Sequence, residues 1–319
     1  RRELVSRVAR SAAGRKKQQR MMKKLLFTGA SGFLGRNIKP ILSERYDVAT
    51  VGIAEDDDYR VDMSATSPRL AERYDVVLHA AGKAHVYPKT ADEVKSFYDV
   101  NVQGTINLCR ALEKSGLPKS FIFISMLDVY GITSGENIDE DCPKNPASHY
   151  AISKLQAEEF LVRWADEHRV VLGILRPSLM TGPCPPGNLK AMIRGIDKGF
   201  YVNIAGGRTR KSLMMVQDIG HVVPKIEERG GVYNLCDDRH PSYAELAESI
   251  RKQLGKKHGV PSIPYWMAWC LAKIGDLTGV LPIDSHRLEQ LTKSNTYSNA
   301  KAKRCLDWQP MDVIDNFHI

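Results

Sequence analysis

The sequence predicts an α/β protein, a doubly wound parallel sheet followed by a smaller, mostly helical C-terminal substrate domain. Apolar runs of strand length alternate with amphipathic stretches through the first half, the pattern of a sheet covered on both faces. The first run ends in three glycines at three-residue spacing, Gly29, Gly32 and Gly35, where a helical pattern begins. After Pro177, "TGPCPPGN" breaks the alternation and helical patterns dominate. With 319 residues, 43% hydrophobic and 26% charged, the chain can bury a sizeable core.

Residues 1–20 hold eight basic groups against Glu3 alone, so they carry +7 of the net +9 and leave +2 for the other 299 residues. We read them as a disordered basic tail upstream of a natural start at Met21 or Met22, the alternative being an arm for nucleic acid or an anionic membrane. No nucleic-acid partner is expected for the body. The strand runs are "KLLFTG", "DVATVG", "DVVLHAAG", "SFIFIS" and "VVLGILRP". They define a cofactor-binding domain over residues 21–180 and leave a substrate-binding domain over 181–319. "KSLMMVQDIGHVV" and "GVYNLC", near 212–240, return to the first domain.

Cys109, Cys142, Cys184, Cys236, Cys270 and Cys305 are scattered, with no ligand spacing, so neither a disulfide framework nor a metal site is expected, and a cytoplasmic location fits. No stretch is long and apolar enough for a membrane span. The nearest, "IPYWMAWCLAKIGDLTGVLP" at 263–282, is expected to be a core-facing helix, with a membrane-surface helix as the alternative.

In "FTGASGFLGRNI" the glycines allow a tight turn and close backbone approach, so Ser31, Phe33 and Leu34 at the helix start can face a pyrophosphate. This is the opening of a Rossmann dinucleotide-binding domain. The tip of the second strand normally reports the cofactor, but the count lands on Gly52 and Ile53, which cannot contact ribose through a polar side chain. Asp56, Asp57 and Asp58 follow as either a solvated turn or a ribose contact. NAD is therefore expected, with NADP possible.

Tyr150 and Lys154 in "HYAISKLQAEEF" lie four apart on a helical pattern, so they project from one face. An ammonium near a phenol favours the phenolate, giving a base suited to a sugar hydroxyl that loses hydride from the same carbon.

Residues 21–319 resemble the extended short-chain dehydrogenases/reductases, in the NAD-dependent sugar-nucleotide epimerase/dehydratase branch. The motifs are "TGASGFLG", "RVDMS", "LHAAG", "VNVQGTINL", "VYG", "YAISK", "LRPSLMTGP" and "CLDWQP". The resemblance implies cofactor contacts from Asp62 and Met63, from Ala80, Ala81 and Gly82, and from Asn101, Tyr150, Lys154 and Pro177. "HAAGKAHVY", "PPGNLKAMIRGIDKGF" and "GGRTRKSLMMVQDIG" resemble members acting on UDP-sugars for surface polysaccharides, which implies substrate contacts from Lys83, His85, Met126, Asn188, Arg210, Lys211 and Arg287. It also implies a homodimer. The expected activity is epimerisation at C4 of a UDP-hexose or UDP-N-acetylhexosamine, with NADPH-dependent reduction of a 4-keto sugar nucleotide as the alternative.

One position departs from the pattern. Four residues before Tyr130, where the family carries Ser or Thr, stands Met126, whose thioether donates no hydrogen bond. Three readings follow: a bulge that turns Ser125 into the catalytic role, catalysis by Tyr150 and Lys154 alone, or a cofactor-binding protein of weakened turnover. Thr181 replaces the Tyr common in "LRPSLMTGP", which reshapes the pocket wall, and His149 borders the same region.

Overall fold

The computed structural model describes residues 22–84, 88–278 and 283–319. Strands β1 (Lys23–Thr28), β2 (Tyr46–Gly52), β3 (Tyr59–Arg60), β4 (Val76–His79), β5 (Ser120–Ile124), β6 (Val171–Pro177) and β7 (Gly231–Leu235) form one sheet in the order β7-β6-β5-β4-β1-β2-β3. The pairings from β3 through β5 are parallel and free of register shifts. Every residue of β4 and β5 is buried, as their unbroken apolar runs require of strands covered on both faces. The strand order reverses between β1 and β4, and in open α/β sheets ligands sit outside the carboxyl ends of the strands at such a reversal. The Rossmann expectation is met.

The helices of eight residues or more among the described residues are α1 (Phe33–Ser43), α2 (Ala91–Tyr98), α3 (Gly104–Ser115), α4 (His149–His168), α5 (Gly187–Lys198), α6 (Gln217–Arg229), α7 (Tyr243–Gln253), α8 (Tyr265–Thr278) and α9 (Ser285–Thr292). The chain divides into two compact units that interleave in sequence. The first takes the chain up to Ile124 together with 156–173 and 223–231; the second holds 125–155, 174–222 and 232–319. The division therefore does not fall at one position near residue 180. Parallel strands must each be entered from the same end, so the chain passes out and back between them.

In the first unit Leu25, Leu26, Phe27, Val77, Leu78 and Phe121 are fully buried. Buried Glu227 accepts a hydrogen bond from the Tyr46 hydroxyl at 2.6 Å and pairs with Lys23, which ties the returning segment to β1 and β2.

The second unit packs α5 and α7 against Leu213, Met215, Val313 and Phe317. α7 opens with a reciprocal cap, the Ser242 hydroxyl accepting from the Glu245 N–H and the Glu245 carboxylate from the Ser242 N–H. Three short parallel pairs complete the unit: Leu179–Thr181 with Leu213–Met215, Asn203–Ile204 with Ser262–Ile263, and Gly135–Ile138 with Asn295–Tyr297.

α8 corrects an expectation. Read as core-facing, it buries only Ala268, Ala272 and Gly275 and leaves Trp266, Trp269, Leu271 and Leu277 exposed. A Cβ on Gly275 would run into the Ile283 carbonyl, so the helix approaches its support too closely for large side chains on the inner face.

Two buried acids fix the C-terminal segment. Asp218 accepts from the Met311 N–H at 3.1 Å, and Asp237 from the His240 and Val313 N–H groups at 3.1 and 3.3 Å. Burial, with a smaller contribution from the charge of Asp237, pushes Asp218 up to about 7, and burial pushes Asp237 up to about 6. The folded state thus binds a proton at Asp218 that the unfolded chain has lost, and stability falls as pH rises from about 4 to about 7. Asp218→Asn keeps an acceptor for Met311 and removes the buried charge. It is expected to raise the melting midpoint at pH 8 and to leave it unchanged at pH 4, as read by thermal melts at both values.

Candidate active site

The first unit supplies a cradle at the end of β1. Gly29 has φ of +78°, and a Cβ there would lie 2.7 Å from the Ala81 nitrogen and 2.8 Å from the Ala80 carbonyl carbon. Only glycine fits both the conformation and the approach. The Gly32 N–H donates to the Gly29 carbonyl at 3.1 Å, closing the turn, and Gly32 then serves as the N-cap of α1 without any side-chain cap. The first N–H groups of α1, at Phe33, Leu34 and Gly35, therefore lack intrahelical acceptors and suit an anion. A Cβ on Gly35 would collide with the Ala30 backbone, so the helix can sit this low only with glycine there. Ser31 stands exposed in the turn. These features fit a dinucleotide pyrophosphate.

A buried polar chain fixes the far wall. The Thr28 hydroxyl lies 2.6 Å from His79 Nδ1 and accepts from the Ala81 N–H at 3.1 Å. His79 Nε2 is 2.9 Å from the Thr105 hydroxyl, which donates to the Asn101 carbonyl at 2.7 Å. Asn101, buried in a single π-helical turn, accepts from the Lys83 N–H at 2.8 Å and donates to the Lys83 carbonyl at 3.2 Å. Such turns interrupt helices where a side chain must be placed exceptionally. Here the turn holds Ala80, Ala81, Gly82 and Lys83 as a defined wall. The Lys83 ammonium itself is engaged by the Ser96 hydroxyl at 2.6 Å. His85 lies outside the described residues, as does the basic tail.

Among the acids, Asp58 is spent on the Thr50 N–H and hydroxyl, at 2.8 and 3.0 Å. Asp57 accepts from the Ala54 N–H at 3.0 Å and folds its carboxylate against Gly52. The turn thus returns an acid to the tip of β2, where counting along the sequence found none. Asp62 is exposed and accepts from the Ser64 N–H and hydroxyl at 2.9 and 2.7 Å. Met63 is buried behind it, its carbonyl accepting from the Asn107 amide at 2.8 Å.

The second unit carries the pair expected to act as acid and base. Tyr150 and Lys154 lie one turn apart at the start of α4, Tyr150 half-buried and Lys154 buried. Burial, and secondly the negative charge of Asp128, push the Tyr150 phenol up to about 12. Asp128 lies in the short 3₁₀ turn Leu127–Tyr130; its carboxylate reaches solvent, yet the protein around it withholds enough water to raise its pKa, with Lys211 opposing. Burial lowers Lys211, against the pull of Asp128, and its ammonium forms no ion pair among the described residues. Asp128 belongs to no motif visible in the sequence, its place two residues before Tyr130 being the signal that points to it.

Ser125 is buried, its N–H donating to the Leu175 carbonyl at 2.7 Å. Met126 is extended, with φ of −160° and ψ of 159°, and packs half-buried against the cluster of Leu127, Val129, Tyr130 and Tyr297. Tyr130 anchors this loop: its hydroxyl accepts from Arg176 at 2.8 Å and donates to Asn234 at 2.7 Å, and its ring lies under the Arg176 guanidinium. Pro177 follows, buried.

The remaining candidates are distributed unequally. Asn188 is exposed in the first turn of α5, whose N-cap residue Pro186 makes no side-chain cap. Arg210 is engaged by the His240 carbonyl at 3.0 Å and Glu245 at 3.3 Å. Arg287 lies 3.7 Å from Asp284 on α9. Thr181 is fully buried, its hydroxyl without a hydrogen-bond partner, and His149 is exposed at the start of α4.

Residues 25–236 match the model of the NAD dependent epimerase/dehydratase family. The chain is 30% identical, over 80% of its length and 81% of the relative, to an N-acetyl-alpha-D-glucosaminyl-diphospho-ditrans,octacis-undecaprenol 4-epimerase of Escherichia coli O157:H7. It is 27% identical, over 93% of both chains, to a UDP-glucose 4-epimerase of Vibrio cholerae. In fold it is similar to the RMD protein of Pseudomonas aeruginosa complexed with NADPH, with a TM-score of 0.71 at 23% identity over 93% of this chain and 96% of that one. The UDP-glucose 4-epimerase of Thermotoga maritima with UDP-glucose gives a TM-score of 0.71 at 21% identity, over 92% and 95%. With the glycine cradle, the topology and a family match that spans most of the chain, this protein belongs to the NAD dependent epimerase/dehydratase family.

Proposed function

We propose that the protein is an NAD-dependent 4-epimerase of a diphosphate-linked hexose or N-acetylhexosamine, a UDP-sugar in the first instance. The observation that carries the reading is the pair Tyr150 and Lys154, one turn apart on α4, in a chain whose relatives include two 4-epimerases. Tyr150 removes the proton of the sugar O4 and returns it; buried Lys154 favours the phenolate. NAD held at the cradle of Gly29, Gly32 and Gly35 would supply a reversible hydride acceptor for C4 of the sugar. The open start of α1 suits its pyrophosphate, and Asp57 at the tip of β2 suits ribose hydroxyls and disfavours a 2′-phosphate. Lys211 and the start of α5 with Asn188 are the cationic and dipolar groups suited to the substrate diphosphate, since Arg210 is already engaged by Glu245.

Asp128 favours a second reading. Its charge keeps Tyr150 protonated, the form that delivers a proton to a 4-keto oxygen, so a one-way reduction with an exchangeable cofactor uses the same residues. Purified protein without added cofactor, given a panel of UDP-hexoses, UDP-N-acetylhexosamines and a polyprenyl diphosphate sugar, distinguishes the two. C4 epimers resolved by NMR support the first reading. Conversion only of a 4-keto substrate with added NADPH supports the second, and no conversion of either means a cofactor-binding protein.

Tyr150→Phe is expected to lower kcat by about a hundred-fold or more, the usual worth of a positioned acid–base group. Asp128→Asn removes the charge that raises the Tyr150 pKa. The rising limb of the pH–rate profile, where the phenolate is needed, is therefore expected to move to lower pH. Met126→Ser supplies the donor that the thioether lacks and is expected to raise kcat about tenfold or more in steady-state assays.

A further inference from the structure

We propose that His79 is a positioning residue for the dinucleotide, and that it acts as the neutral imidazole with its proton on Nε2. The proposal concerns cofactor binding alone and does not depend on which sugar reaction follows.

β1 and β4 run parallel with Thr28 and His79 as register partners at their carboxyl ends, so the hydroxyl and the imidazole meet where the two strands stop. Thr28 and Thr105 are fully buried, and His79 and Asn101 are each 1% exposed. The imidazole packs against the rings of Phe121 and Phe123, with centroids 5.9 and 5.6 Å away. Each ring nitrogen meets one hydroxyl: Nδ1 lies 2.6 Å from that of Thr28, and Nε2 lies 2.9 Å from that of Thr105. With so little solvent contact, each of these polar atoms has to be answered by another.

A hydroxyl has a single proton, and the partners decide where each proton goes. Thr105, in the first turn of α3, donates its own to the Asn101 carbonyl four residues back, an acceptor with no proton to return. Its oxygen must therefore accept from Nε2, which places the imidazole proton there. Thr28 accepts from the Ala81 N–H. A second proton on Nδ1 would point at the same oxygen and deprive the Thr28 proton of this acceptor, whereas a bare Nδ1 receives it. The bonds then run in one direction, from Ala81 through Thr28, His79 and Thr105 to the Asn101 carbonyl. The Asn101 side chain closes the circuit by accepting from the Lys83 N–H and donating to the Lys83 carbonyl. Ala81 and Lys83 are thus held from two ends, with exposed Gly82 between them. A Cβ at Gly29 would lie 2.7 Å from the Ala81 nitrogen, so the bond that turns this N–H toward Thr28 also sets the spacing of wall and cradle. Removing Nδ1 frees the Ala81 peptide to shift against Gly29, and the surface offered to the dinucleotide shifts with it.

The test starts with the full chain carrying isotope-labelled histidine. Proton–nitrogen correlation NMR near neutral pH separates the two neutral tautomers from the charged ring, and the His79 signals are those missing from His79→Asn. The Nε2–H form is expected; a proton on Nδ1 alone or a charged ring overturns the proposal. Calorimetric binding of NAD to protein stripped of nucleotide supplies the second readout. His79→Leu keeps apolar bulk without either nitrogen and is expected to weaken NAD about tenfold or more, the scale of a buried polar group left unpaired. His79→Asn offers the Thr28 hydroxyl an acceptor near the Nδ1 position and is expected to recover part of that loss. Thr28→Val, close to threonine in size, breaks the chain from its other side and is expected to weaken NAD to a similar degree, which keeps the test open where the leucine variant fails to fold. Circular dichroism melts identify the folded variants. Folded variants that bind NAD as the unaltered protein does overturn the proposal. An equal loss in His79→Leu and His79→Asn overturns it too, because it assigns His79 to core packing alone.

Discussion

The close approach of Gly29 to the Ala80–Ala81 backbone is the constraint on which the cofactor half of the structure depends. It joins the turn after β1 to the end of β4, and a side chain at residue 29 would force them apart. Around it runs the buried chain Ala81, Thr28, His79, Thr105, Asn101 and Lys83, in which each polar group answers another. A buried polar network of this kind is stabilising only when complete, because an orphaned donor or acceptor keeps its full desolvation cost. The same contacts that satisfy the core therefore fix the wall beside the cradle.

The second unit holds its polar groups by different means. Tyr130 is held from two sides by Arg176 and Asn234, and with it the short turn that carries Asp128. Burial raises the Asp128 carboxyl and the Tyr150 phenol and lowers Lys211, in each case favouring the uncharged form. Such opposed environments are characteristic of sites that move protons. Met126 fits the same picture, its thioether filling an apolar cluster with Leu127 and Tyr297 where the family pattern places a hydroxyl.

The inverted helix α8 shows how packing distance selects side chains. Two alanines and a glycine allow the helix backbone close to its support, and the large residues are left no inward position. The apolar content of the segment suggested burial. The arrangement of small residues at spacings of four and three decided otherwise.

What the sequence determined by itself were features written in local spacing: the alternating strands, the three glycines, and Tyr150 one helical turn from Lys154. These depend on backbone periodicity and sterics, which act over a few residues. The tertiary structure decided what depends on contacts far apart in the chain. Asp57 returns to the tip of β2 only because the turn folds back, Arg210 is removed from the free cations by Glu245, and Lys211 and Asp128 influence each other across 83 residues. The outward face of α8 and the interleaved units belong to the same class, since both follow from which segments pack together.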